Sequence, residues 1–115
     1  MFPFEELEIY KKSRSFNLRI RALIKTLKLD YATENQLRRA SLSVQLNLAE
    51  GNGRFSKKDV RRFYVISRSS INECVAVLDI LKEEGSISLK TFKELKSEAE
   101  VLSKILFKLI KRLTD

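Results

Sequence analysis

Nucleophilic and acid–base chemistry need a poised side chain, and this sequence offers few. It has no histidine and one cysteine, Cys74. The commonest general base and metal ligand is missing, and with it every histidine-based triad. Cys74 falls on an apolar seam with no histidine to draw off its proton, so it reads as a buried structural thiol rather than a nucleophile. Di-metal bundles gather carboxylates from several helices, normally with Glu-x-x-His pairs. Here only Glu50 and Glu73 stand beside apolar stripes, too thin a set for a metal. Gly51–Asn52–Gly53 has part of the composition of a phosphate-cradling loop, without its full glycine spacing or its Gly-Lys-Ser/Thr ending. A turn is the simpler reading. The expectation is a protein that is not an enzyme and takes no metal or other cofactor.

The residues with most to offer are cationic. Lys and Arg total 23 against 15 acids, a formal net charge of +8, and a domain this basic attracts polyanions at long range. Between Arg38 and Arg68 eight basic residues face only Glu50 and Asp59, so this stretch carries 8 − 2 = +6 of that total. Lys57, Lys58, Arg61 and Arg62 crowd the first turns of one helix, where like charges repel by roughly a few tenths of a kcal/mol per pair. Arg38, Arg39, Arg54, Lys57, Lys58, Arg61 and Arg62 are therefore the candidate contacts to RNA or DNA phosphates, whose neutralisation releases counterions. Nothing in them predicts base-specific contact, and the helices are too long for a helix-turn-helix. In the last helix the lysines are interleaved with Glu94, Glu98 and Glu100, which reads as an ordinary solvated face. Glu50 ends one helix near the start of the next. Buried pairing with Arg38, Arg39 or Arg54 would fix the angle between the two.

These side chains must be held by helices. Glycine occurs three times and proline once, at Pro3, so little interrupts helical geometry. A 115-residue chain fits one domain, residues 1–115. Four periodic segments follow. The first runs from about Phe4 to Leu27, with Ile9, Phe16, Ile20, Leu23 and Leu27 as its core line. The second is expected over Glu34 to Glu50, opened by a Thr33/Gln36 capping box. It bears two apolar stripes, Leu37–Ala40–Val44–Leu48 and Leu42–Leu46–Ala49, so it should be covered from more than one side. Gly51 and Gly53 would close it in left-handed geometry. The third, capped by Ser56, repeats Val60, Phe63, Ser67, Ser70, Cys74, Val77 and Leu81, and Gly85 stops it. Its small residues leave room for close backbones or a large partner such as Phe16. The fourth, capped by Ser88, repeats Phe92, Leu95, Ala99, Leu102, Leu106, Leu109 and Leu113. Steps of three and four sustained this long predict an all-α, antiparallel up-and-down four-helix bundle.

No run of apolar residues is long enough to span a membrane, nor does the start resemble a secretion signal. A lone cysteine suits a reducing compartment, and the expected location is cytoplasmic.

Several strings then point further. Phe4, Glu6, Leu7 and Ile9–Tyr10–Lys11 resemble an opening of the type F-x-x-L-x-V/I-W/Y-K. Gln36–Leu37–Arg38–Arg39–Ala40, Ser43–Val44, Asn47–Leu48–Ala49–Glu50–Gly51, Gly53–Arg54 and Ser56 form a central signature, and Arg62–Phe63, Ser69–Ser70 and Glu73 follow it. The chain thus resembles the small bundle proteins encoded by intervening sequences in bacterial 23S ribosomal RNA genes, also labelled S23 ribosomal proteins. It departs at Tyr10, where tryptophan is frequent, and at Leu48, where isoleucine is. The resemblance implies an antiparallel bundle assembling into a ring, typically a homopentamer, and kinship to a basic accessory protein of diversity-generating retroelements associated with nucleic acid. It singles out Arg38, Arg39, Asn47, Glu50, Gly51, Gly53, Arg54 and Ser56 and assigns no catalysis. Asn47, Glu50, Gly51, Gly53 and Ser56 are accordingly expected to build the corner between helices two and three. The competing expectation is a scaffold that binds protein partners and touches no nucleic acid.

Overall fold

Apolar residues recurring every three and four positions can leave water only if helices pack side by side, and four of them do so here. The computed structural model describes residues 2–114 and contains α1 Glu8–Lys25, α2 Tyr31–Asn52, α3 Lys57–Glu83 and α4 Leu89–Arg112. The links, residues 26–30, 53–56 and 84–88, are short enough to force each helix back along its predecessor. Contacts join α1 to α2, α2 to α3, α3 to α4 and α4 to α1, which leaves α2 and α4 on one diagonal. The bundle measures 44 × 26 × 22 Å. It is the expected antiparallel four-helix architecture.

The core follows the expected seams with two shifts: in α1 Ile24 is buried while Leu23 and Leu27 stay half-buried, and in α3 Tyr64 is buried while Phe63 stays half-buried. Phe16, Ile20 and Ile24 of α1, Leu37, Val44 and Leu48 of α2, Ile71, Cys74, Leu78 and Leu81 of α3, and Leu95, Leu102 and Leu106 of α4 are all buried. Each such side chain contributes about 1.5–3 kcal/mol on leaving water. Two of the small residues of α3 bring it close to α2, as one of the two expectations had it. Ser67 Oγ donates to the Val44 carbonyl at 2.7 Å and Ser70 Oγ to Ser43 Oγ at 2.8 Å, so α3 sits close on α2.

Between α1 and α2 the seam turns polar. Ser41 Oγ donates to Asn17 Oδ1 at 3.0 Å, and Asn17 Nδ2 donates to Gln45 Oε1 at 3.0 Å. Gln45 Nε2 in turn donates to the Tyr10 hydroxyl at 2.9 Å. Among the described residues no buried side-chain nitrogen or oxygen lacks a partner. A satisfied network of this kind specifies register as well as stability.

Several boundaries differ from expectation. The first segment splits: Pro3–Glu6 forms one 3-10 turn and Leu7, in extended geometry, precedes α1. Proline's fixed φ starts that turn, and the Phe4 ring packs edge-on to Tyr10 at 4.8 Å. The N-cap of α2 is Asp30, one turn earlier than Thr33; its carboxylate accepts from the Thr33 N–H at 3.0 Å. Those hydrogen bonds from Thr33 hold the Asp30 carboxyl below its ordinary value. Gln36 is thereby freed and donates to Glu73 on α3. Ser56 and Ser88 cap α3 and α4 as expected, accepting from Asp59 N–H and Thr91 N–H. Gly85, at φ +80°, ends α3.

Asn17→Ala strips Ser41 and Gln45 of a partner while leaving the apolar seams intact. It is expected to lower stability by about 1–3 kcal/mol with unchanged helix content, read by urea unfolding monitored by circular dichroism.

Candidate nucleic-acid interface

A glycine in a helix normally costs about 1 kcal/mol against alanine, so its presence at position 51 asks for a reason. Gly51 does not close α2 in left-handed geometry. It lies inside the helix, buried, where a Cβ would come within 2.9 Å of the Tyr64 ring and 3.0 Å of Phe63 Cβ. The missing side chain is what lets the start of α3 lie on the end of α2. Gly53 also has an ordinary φ of −85° and closes α2 as its C-cap. Tyr64 is buried, which pushes its phenol up, with the Asn52 side chain as partner. Asn47 lies one turn back, its Nδ2 donating to the Ser43 carbonyl and hydroxyl, and so it braces the Ser43–Ser70 link between the helices.

This close corner projects charge. Arg54 pairs with Glu50 across one turn, and its guanidinium lies 4.7 Å from the Phe63 ring centroid; that of Arg62 lies 4.4 Å away. Two arginines thus share one aromatic ring. Phe55, between Arg54 and Ser56, is fully exposed. Lys57 and Lys58 are exposed and make no ion pair among the described residues. Arg61 donates to Thr114 Oγ1 beyond the end of α4, at 2.9 Å. The buried ion pair expected of Glu50 does not form. Its side chain is 53% exposed and bonded only to Arg54, so solvent screens the pair and the angle between helices comes from Gly51 and the serines instead.

The seven expected contacts do not form one patch. Arg54, Lys57, Lys58, Arg61 and Arg62 gather at the corner, whereas Arg39 lies about 22 Å back along α2. Arg38 turns aside to Glu34 on its own helix. Arg39 instead lines a separate polar cleft of about 260 Å³ with Gln36, Ser43, Ser70 and Glu73.

The corner's charge continues where composition alone concealed it. The acids of α4 cluster in its first half, and Arg19 of α1 pairs with Glu94 and Glu98. No acid occurs from Val101 to Thr114, or from Val60 to Asn72 on α3. These two stretches run antiparallel against each other, as the Arg61–Thr114 and Arg68–Ser103 hydrogen bonds fix. Together they hold Arg61, Arg62, Arg68, Lys104, Lys108, Lys111 and Arg112. Which half of α4 faced which half of α3 was the missing signal, and an antiparallel pairing of the two heptads would have supplied it.

Burial, and secondarily the Glu73 charge, push the Cys74 thiol up to about 12, so it stays protonated near neutrality. Among the described residues no three His, Cys, Asp or Glu side chains come together, and no helix is long and apolar enough to cross a membrane.

Fold and site together define a basic antiparallel four-helix bundle with one electropositive, aromatic-bearing end. The chain belongs to the 23S rRNA-intervening sequence protein family, whose model matches residues 5–108. A protein of unknown function from the S23 ribosomal protein family of Bacteroides thetaiotaomicron, solved at 1.70 Å, has the same fold. It superposes with a TM-score of 0.85 at 23% identity, over 90% of this chain and 98% of that one. Comparison with curated proteins gives no match.

Gly51→Ala should force the Tyr64 ring and the Phe63 backbone away from α2. Overpacking outweighs the gain in helix propensity, and a net loss of about 1–2 kcal/mol in thermal unfolding is expected. Gly53→Ala, with its nearest neighbours at 3.6 Å, should be close to neutral and serves as the control.

Proposed function

We propose that this protein is a non-catalytic, self-associating bundle that holds RNA or DNA by its phosphate backbone, at the end where α3 begins and α4 finishes. One observation carries the reading: two facing half-helices bear seven basic residues and no acid, although Arg62 lies 4.0 Å from the Asp59 carboxylate one turn earlier. Their mutual repulsion weakens the helices, and phosphates offset it by replacing condensed counterions. Arg54, Lys57 and Lys58 extend the same surface around the corner. Arg38 and Arg39 are left out of it. Their positions suit contacts with Glu34 and with the polar cleft.

A second reading, association with protein, is favoured by the outer face of α2 and concerns a different surface. Leu42 and Leu46 remain 37% and 53% exposed, and half-buried Ala49 extends their line. The stripe expected to be covered from a second side is not covered within one chain. We assign it to contact between copies, in keeping with a ring. Leu46→Glu is expected to lower the particle mass measured by light scattering, towards the 13.4 kDa of one chain, without loss of helix. An unchanged mass would remove α2 from the interface.

For the nucleic-acid reading, affinity should fall steeply between about 50 and 200 mM salt. Replacing Lys57, Lys58, Arg61 and Arg62 by alanine should weaken binding at least tenfold and flatten the salt slope by up to about 0.9 for each duplex phosphate contact removed. Binding that ignores both salt and this variant would refute the assignment.

A further inference from the structure

Resting on the phosphate reading, we propose that Phe107 is a stacking platform for an unpaired base, so that the preferred ligand is single-stranded nucleic acid. A phenylalanine on the flank of α4, off its apolar seam, gains little for the fold; Phe107 is 52% exposed whereas its neighbour Leu106 is wholly buried. The Arg68 guanidinium lies over the ring at 5.2 Å from its centroid and is held there by donating to the Ser103 carbonyl at 3.2 Å. Arg68 and Phe107 together wall two hollows between α3 and α4. One, of about 310 Å³, is completed by Lys104 and Lys108. The other, of about 220 Å³, is completed by Val65, Ser69, Asn72 and Ile110. Neither hollow contains an acid.

An aromatic ring bearing a guanidinium and flanked by two ammonium groups matches a nucleotide part by part. The base stacks on the ring or the guanidinium plane, and its phosphates lie against Lys104 and Lys108. A protein ligand would need an apolar anchor ringed by carboxylates to satisfy the same rim, whereas every nucleotide carries both parts. Stacking also selects against duplex, because a paired base must leave its own stack before its face can lie on the Phe107 ring.

The chain has no tryptophan, so Phe107→Trp introduces a single indole reporter at this position. Single-stranded oligoadenylate, as RNA and as DNA in separate arms, is expected to quench that emission, while a duplex of equal length and an abasic strand do not. Quenching in either arm identifies the sugar accepted. Phe107→Ala should weaken single-strand binding roughly ten- to a hundredfold, with duplex binding and the salt slope unchanged. Loss of the lysine and arginine contacts in the fourfold alanine variant, alongside an unaffected Phe107→Ala protein, would keep the phosphate reading and sink the stacking one. Absence of any nucleic-acid binding would sink both. A changed particle mass in Phe107→Ala would place the ring between protein copies and overturn the proposal, as would equal quenching by duplex.

Discussion

The close approach of α2 and α3 is the constraint on which the basic end depends. Nothing larger than a hydroxyl separates the helices at Ser43, Ser67 and Ser70, and nothing at all at Gly51. Buried hydroxyls bonded to a carbonyl or to each other resist separation, because parting them strands a polar group away from water. With the two helices locked together, the link of residues 53–56 has little freedom. Arg54, Phe55, Lys57 and Lys58 then project from one short corner, and Phe63 is placed where two guanidinium groups can share it. The corner's geometry is therefore a packing effect, and the surface Glu50–Arg54 pair decorates it.

Charge is sorted along the bundle by the same antiparallel order. Arg19 meets Glu94 and Glu98 where α1 passes the first half of α4, so that half is neutralised within the fold. Beyond Glu100 no acid remains on α4, and none faces it from α3 between Asp59 and Glu73. Repulsion of a few tenths of a kcal/mol per pair is small against four apolar seams each burying several large side chains. The fold can tolerate an end where only Arg54 and Arg62 have a carboxylate nearby among the described residues. Nothing in its own stability requires one, which is why the charge is read as serving a ligand.

The architecture was legible because heptads extend for most of each helix and short links leave few topologies. Ser56 and Ser88 were legible for a similar reason, since a hydroxyl placed to accept from the backbone N–H three residues on marks a helix start. Asp30 was not, because Thr33–Gln36 offers the same spacing one turn later and only packing against α3 tells which is used. Gly51 was misread for a deeper reason. Glycine signals a left-handed turn and a close helix contact equally well, and the buried Tyr64 that decides between them lies across the corner. The candidate site was legible at Arg54, Lys57, Lys58, Arg61 and Arg62, which are neighbours in the chain. Arg68, Lys104, Phe107 and Lys108 are neighbours only once α3 and α4 are paired, and the composition of α4 as a whole averaged its acidic and basic halves together.

Topology also bears on how the two surfaces relate. The outer stripe of α2 and the helix α4 occupy opposite corners of the bundle, since α2 and α4 make no contact with each other. Copies associating through Leu42 and Leu46 would leave the α3–α4 face pointing away from that contact. A closed ring would then repeat the basic end once per subunit around its rim. On the proposed function each site alone would make few phosphate contacts and bind with modest affinity at physiological salt. A polyanion long enough to touch two sites pays the entropy of encounter once, and its second contact forms at an effective concentration set by the ring's dimensions. On this proposal self-association and nucleic-acid contact would reinforce each other: the exposed apolar stripe of α2 would supply the multiplicity that a small basic end needs.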